Sequence, residues 1–242
     1  MSSTVSSVPG VRYTNQTLLI DADDTLWENN IYFEQAIAAF ISYLEHRVHT
    51  PEEVREHLNI CERATIASHG YGVTSFRRSL VDCFEQLSDA AITPEHHARI
   101  LSFTEAIASN EIELRPAVES TLRELRDRHR LILVTKGDVM EQTDKLQRSG
   151  LAPNFTAIEV VAEKNPAAYR DVGLRHACDP ASTWMIGNSP KSDINPSRAA
   201  GFNAVFIPHD FTWALEHEVI DPPRAGEHLL EVQNFAELLR YF

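Results

Sequence analysis

A chain of 242 residues has room for one large domain, or for a core domain carrying a smaller insert. Hydrophobic residues at 43% and charged residues at 24% are the balance of an ordinary globular protein and argue against a disordered or fibrous chain. A formal charge of −13 repels a polyphosphate backbone and argues against nucleic acid as a partner, whereas a small anionic substrate feels the local field of its pocket, which a divalent metal can reverse.

The first ten residues are Ser-rich, with no charged side chain and no long apolar run, and predict a disordered lead-in over residues 1–15 rather than a signal peptide. Thr17–Ile20 reads as a short buried parallel strand that ends at the acidic cluster Asp21-Ala22-Asp23-Asp24-Thr25. From Asn29 to about Asn110 the pattern is helical. Phe33, Ile37, Phe40, Ile41 and Leu44 fall at helical spacing, and Thr50-Pro51-Glu52-Glu53 is a capping box opening a helix that Gly70 stops. Two more helices are predicted, over Ser75–Leu87 and from Thr93-Pro94 to about Ser109. No strand interrupts this block, which reads as an insert over residues 29–110.

After Arg115-Pro116 helices and strands alternate. Helices are predicted at Pro116–Arg128, Val139–Ser149, Pro166–Ala177 and Asp193–Ala200, and a last short one at Phe235–Tyr241. Strands are predicted at Leu131–Thr135, Ala157–Val161, Thr183–Ile186 and Ala204–Ile207. This is the pattern of an α/β fold with a Rossmann-like parallel sheet, its core formed by residues 16–28 and 111–242. No stretch approaches roughly 18 consecutive apolar residues, so no membrane partner is predicted. Cys61, Cys83 and Cys178 form no CxxC pair and read as thiols in a reducing compartment, here the cytoplasm.

Ligands of open parallel sheets bind beyond the carboxyl ends of the strands. Those ends carry Asp21 and Asp23, then Thr135-Lys136-Gly137, then Glu163-Lys164, then Gly187-Asn188-Ser189 with Asp193. A carboxylate such as Asp21 can attack phosphorus, and a second such as Asp23 can protonate the leaving oxygen and later deprotonate water. Alone, the pair reads more readily as a solvated acidic turn or as a helix N-cap at Asp23 or Asp24. The Thr135 hydroxyl and the amides of Lys136 and Gly137 can hold phosphoryl oxygens, and the Lys164 ammonium can neutralise developing charge. Asp21, the backbone carbonyl of Asp23 and Asp193 offer oxygen ligands to Mg²⁺; Asp193 also reads as the N-cap of its helix.

In their order and placement these residues resemble the haloacid dehalogenase-like hydrolase superfamily. Asp21-Ala22-Asp23-Asp24-Thr25-Leu26 is similar to its first motif, Val134-Thr135-Lys136-Gly137 to its second, Lys164 to its third and Gly187-Asn188-Ser189-Pro190-Lys191-Ser192-Asp193 to its fourth. The resemblance runs from about residue 16 to the end of the chain. It implies a Rossmann-like core, an α-helical cap inserted after the first motif, and Mg²⁺. Two positions depart from the pattern. Asn188 stands where the family more often has Asp, which removes a charge that would hold the metal directly or through water. Lys164-Asn165-Pro166 stands where Lys-Pro is common, so Lys136 is the substitute cation should Lys164 point away.

Within the resemblance Asp23 favours a phosphatase over a dehalogenase, because a halide leaves unprotonated. A phosphomutase sharing the aspartyl-phosphate and a regulatory protein weakened by Asn188 are the alternatives. The expected partner is a small phosphate ester (nucleotide, sugar or flavin-type), bound by a monomer or homodimer. Tyr71, in the Gly-flanked turn His69-Gly70-Tyr71-Gly72-Val73, is the candidate substrate-reading ring, with Arg77 and Arg78 as candidate anion contacts. Tyr71 reads equally as a packing residue and the arginines as solvated.

Overall fold

The computed structural model describes residues 12–44, 48–88, 91–109 and 111–242. They divide into two compact units: the chain up to Glu28 together with Ile112–Phe242, and the segment Asn29–Glu111.

The first unit is built on a six-stranded, wholly parallel sheet. Its strands are β1 (Thr17–Ile20), β2 (Arg130–Lys136), β3 (Ala157–Val161), β4 (Thr183–Gly187), β5 (Asn203–Phe206) and β6 (Leu229–Glu231), ordered β3-β2-β1-β4-β5-β6. The apolar runs of the central strands feed both faces, as a sheet covered on two sides requires. Leu18, Ile20, Leu131, Leu133, Trp184 and Ile186 belong to one core, and Leu19, Ile132, Val134 and Met185 to the other. β1 lies at the centre, and the connections leave it to opposite sides: β2 and β3 on one, β4 to β6 on the other. That reversal opens a crevice at the ends of β1 and β4, the place where such sheets bind ligands.

The second unit is helical. Its elements are α1 (Asn30–Leu44), α2 (Pro51–His69), α3 (Val73–Leu87), α4 (Pro94–Ser102) and α5 (Glu105–Ser109). Thr50 and Glu53 form the capping box reciprocally, and the Gly70 N–H closes α2 on the Ile66 carbonyl. Phe40, Leu58, Leu80 and Ile100 are fully buried in this unit's own core.

In the first unit the helices are α6 (Val118–Arg126), α7 (Val139–Ser149), α8 (Pro166–Arg175) and α9 (Asn195–Ala199). Several details differ from the sequence expectation. The lead-in lies outside the described residues up to residue 11, but residues 12–15 are held against the core. Tyr13 N donates to the Tyr241 carbonyl at 2.7 Å, and its ring sits 4.7 Å from that of Trp184. The single helix expected from Thr93 to Ser109 is two, parted at Phe103-Thr104. The buried Thr104 hydroxyl there turns back to the Leu101 carbonyl and accepts from Arg77 Nε. β6 was not expected, because three residues show too little alternation to be read. The helix expected at Asp193 begins earlier, with a π-turn over Pro190–Ile194, and the closing segment Phe235–Arg240 is a 3₁₀ helix.

Candidate active site

Asp21 continues the line of β1. Its N–H still donates to the Ile186 carbonyl of β4 at 2.9 Å, so the sheet itself holds the backbone in place. The side chain is buried. Oδ1 accepts from Lys164 Nζ at 2.5 Å, and Oδ2 accepts from Thr25 Oγ1 at 2.8 Å. The same lysine donates to Asp193 Oδ1 at 2.7 Å. Thr25 also approaches Asn188 Oδ1 at 3.3 Å. The ends of β1 and β4 and the segment after β3 thus bring Asp21, Asn188, Lys164 and Asp193 into one buried group. Lys164 points inward onto Asp21 and Asp193, whereas the ammonium of Lys136 is directed to Ser192 and Glu216.

One ammonium faces two carboxylates here. Burial, followed by the charge of Asp193, pushes the Asp21 carboxyl up to about 7 against the pull of Lys164 and the Thr25 hydrogen bond. In Lys164 burial works against the charged form, but Asp193 and Asp21 outweigh it and raise the ammonium.

Asp193 is not an N-cap. Ser189 takes that place, its Oγ accepting from Ser192 N at 2.9 Å, because the π-turn starts at Pro190. Asp193 lies inside the turn, with Oδ2 accepting from Ser189 N at 3.0 Å. Gly187 makes this possible: a Cβ there would lie 2.3 Å from Asp193 Oδ2, far inside any van der Waals contact.

Asp23 is turned toward α7. Oδ1 accepts from Trp27 Nε1 at 2.8 Å and from Lys145 Nζ at 3.1 Å, while Oδ2 accepts from Gln142 Nε2 at 2.8 Å. Burial would raise this carboxyl, but Lys145, then the Gln142 and Trp27 hydrogen bonds, outweigh it and hold it below its ordinary value. The Lys145 ammonium is lowered by burial and raised more by Asp23 and Glu141, for a net upward shift. Gln142 and Lys145 escaped the sequence reading. Their signal is that α7 turns Gln142, Lys145 and Leu146 inward together, so two polar side chains occupy positions of its apolar face.

Thr135 is buried at the end of β2, and Gly137 follows with φ of 137°, a conformation that glycine adopts without strain. Lys136 donates to Ser192 Oγ at 2.9 Å and to Glu216 Oε1 at 2.6 Å. Glu216, also missed, comes from the segment after β5 and takes Ser189 Oγ on its other oxygen at 2.6 Å. Burial raises its carboxyl, and Lys136 with its hydrogen bonds brings it below the ordinary value. No pattern in the chain pairs a motif lysine with a glutamate 80 residues on.

Tyr71 belongs to the helical unit, in the turn between α2 and α3, and is partly buried. Arg77 is tied to Thr104 within that unit, and Arg78 is exposed.

A further cluster, Asp24, Glu28 and His209, has the donor types of a metal site. Its hydrogen bonding argues otherwise. Phe211 N donates to His209 Nδ1 at 3.1 Å, so the ring hydrogen sits on Nε2, which donates to Glu28 Oε2 at 2.8 Å. Arg115 stands beside the same glutamate and donates to the Asp24 carbonyl at 2.5 Å. The cluster clamps the segment that follows Asp23.

Among the described residues no helix is long and apolar enough to cross a membrane. The sequence profile of the family described as haloacid dehalogenase-like hydrolase matches residues 16–201. A haloacid dehalogenase-like family hydrolase from Xanthomonas campestris superposes with a TM-score of 0.79 at 28% identity, covering 94% of this chain and 93% of that one. The phosphoserine phosphatase of Thermus thermophilus is 30% identical over 129 residues, 51% of each chain, so the match spans about half the length of that relative. The N-acylneuraminate-9-phosphatase of Rattus norvegicus is 23% identical over 202 residues, 78% of this chain and 80% of that one.

Proposed function

Because the chain belongs to the haloacid dehalogenase-like hydrolase family, we propose that it is a Mg²⁺-dependent phosphatase hydrolysing a small-molecule phosphate monoester through an aspartyl-phosphate on Asp21. The observation that carries this reading is the convergence at the end of β1. A buried carboxylate with a lysine on one oxygen and a threonine on the other lies two residues from a second carboxylate held by its own donors. The relatives bearing phosphatase names support the same reading.

The residues present fit a magnesium ion. The donors are oxygens, and a single lysine serves two buried carboxylates; burial first, and then the charge of Asp193, raises Asp21, and a divalent cation would offset both. Asp21, the backbone carbonyl of Asp23 and Asp193 would hold it, with Asn188 joining directly or through water. When bound, Mg²⁺ supplies charge neutralisation for the phosphoryl oxygens.

In the first step Asp21 attacks phosphorus, the bond to the ester oxygen breaks, and Asp23 protonates that oxygen as it leaves. A phosphoryl dianion arriving beside Asp23 favours its protonated form, opposing Lys145. Lys164 keeps its charge on the phosphoryl group throughout, and Thr135 with the amides after it holds the remaining oxygens. In the second step Asp23 takes a proton from water, which releases phosphate and restores Asp21. The substrate is a soluble ester met in the cytoplasm by a monomer or homodimer.

Phosphate release from p-nitrophenyl phosphate, with and without Mg²⁺, followed by a panel of monoesters, tests the assignment. No Mg²⁺-dependent release from any ester would overturn it. Asp23→Asn is expected to slow alkyl phosphates by on the order of a hundredfold or more, and p-nitrophenyl phosphate at least about tenfold less, because nitrophenolate leaves with little acid help. Equal losses on the first turnover would remove Asp23 as the acid.

For the helical unit we propose the role of cap, selecting the substrate through Tyr71. Tyr71→Ala is expected to lower kcat/KM for the preferred ester roughly tenfold, about 1.4 kcal/mol, and to leave acetyl phosphate nearly unchanged. Parallel losses on both would mean that Tyr71 only packs its own unit.

A further inference from the structure

Gln142 carries an acceptor that none of the steps above uses. The residue is 5% exposed, and its Nε2 donates to Asp23 Oδ2. A carboxylate offers no hydrogen, so only the NH₂ end of the amide can face it, and Oε1 is directed elsewhere. Among the described residues nothing donates to Oε1. A buried carbonyl left unpaired costs free energy, and the cost persists in a native site where a ligand or water answers it. The amide has little freedom to turn away: a Cβ on Gly137 would come within 3.3 Å of Nε2, so the turn after β2 packs against it.

A fixed acceptor beside the carboxylate of Asp23 is what a reacting water needs. Water has two O–H bonds, and Asp23 can accept only one of them in a productive geometry. We propose that Gln142 is a positioning residue for the hydrolytic water, holding through Oε1 the hydrogen that Asp23 does not take. The proposal rests on the aspartyl-phosphate reading. In that step the water oxygen bonds to phosphorus, and the bond from phosphorus to Asp21 breaks, its electron pair returning to the carboxylate. One water proton passes to Asp23. The other hydrogen, held by Gln142, stays on the oxygen that leaves as inorganic phosphate.

An alcohol distinguishes this role from mere support of Asp23. Methanol has a single O–H, which it gives to Asp23, and so makes no use of Gln142 Oε1. With p-nitrophenyl phosphate and added methanol, the ratio of methyl phosphate to inorganic phosphate is expected to rise roughly tenfold in Gln142→Leu over the parent protein, because only the water path loses a contact. Nitrophenol should appear in a burst of about one per enzyme, with acid-stable phosphoprotein accumulating as its hydrolysis slows. A ratio no higher than in the parent protein, zero in both included, overturns the proposal, since loss of Asp23 orientation alone slows both acceptors alike. Gln142→Met keeps the side-chain length and serves the same test where the leucine variant does not fold. The parent protein separates the two levels: without phosphoprotein or turnover the phosphatase reading itself fails, whereas turnover through phosphoprotein with an unchanged ratio removes only the role of Gln142.

Discussion

Asp21→Asn is expected to lower phosphate-ester turnover by at least on the order of a thousandfold, about 4 kcal/mol of transition-state stabilisation, while the protein stays folded. The chemical loss follows from the role proposed for Asp21 as nucleophile: an amide does not form an acyl phosphate. Tolerance of the fold follows from the two contacts. The Asn oxygen can keep the hydrogen bond from Lys164, and its NH₂ can donate to Thr25 Oγ1, which is then free to donate toward Asn188. The backbone bond to Ile186 is untouched. The substitution also removes the carboxyl that burial and Asp193 push up to about 7, so metal-free stability should change by less than about 1 kcal/mol. Steady-state kinetics and thermal melting in EDTA measure both halves. Residual turnover within tenfold of the parent would mean that another group attacks phosphorus.

Lys164→Met is expected to give the largest loss of stability. Its ammonium lies between two buried carboxylates, at 2.5 Å from Asp21 and 2.7 Å from Asp193. Methionine fills similar space but leaves two like charges without a cation. Breaking a buried ion pair in this way costs about 3–5 kcal/mol. For a chain of this size that corresponds to a drop of roughly 10 °C in Tm without metal. In the reading proposed above Mg²⁺ is held by the same carboxylates, so added metal should raise the Tm of the variant more than that of the parent. Activity should stay at least about a hundredfold down even at saturating Mg²⁺, because the charge proposed to face the phosphoryl group is gone. A variant that melts with the parent in EDTA would show that the pair of carboxylates is not held by Lys164.

The elements of the parallel sheet were readable because β1, β2 and β4 are short apolar runs bounded by polar turns, and buried parallel strands need no other signal. α7 and α2 were equally plain, since the Asp138 and Thr50 side chains accept from backbone N–H groups at the helix starts and the N–H groups of Gly150 and Gly70 close the helix ends, all between residues close in sequence. The acidic pair, Lys164 and Asp193 could be picked out for a related reason: each lies at or just beyond the end of a strand, and the fold class says where strand ends meet.

Other features depend on contacts between distant segments. Whether Lys164 or Lys136 faces Asp21 is decided by which segment packs over which, and the Glu216 carboxylate that takes Lys136 arrives from the loop after β5. The place of Asp193 follows from a π-turn capped by Ser189 and from the bare Gly187 beneath it, a close approach that no residue pattern encodes. Gln142 and Lys145 look like ordinary helix residues in the chain. Only the packing of α7 against the loop after β1 turns them onto Asp23. The sequence by itself therefore determined the layers, the order of the motifs and the chemical types gathered at the strand ends, because these depend on local periodicity and chain direction. The tertiary structure decided which charge meets which, because hydrogen bonds and ion pairs depend on distances of a few ångströms between residues far apart in the chain, 181 positions for Glu28 and His209.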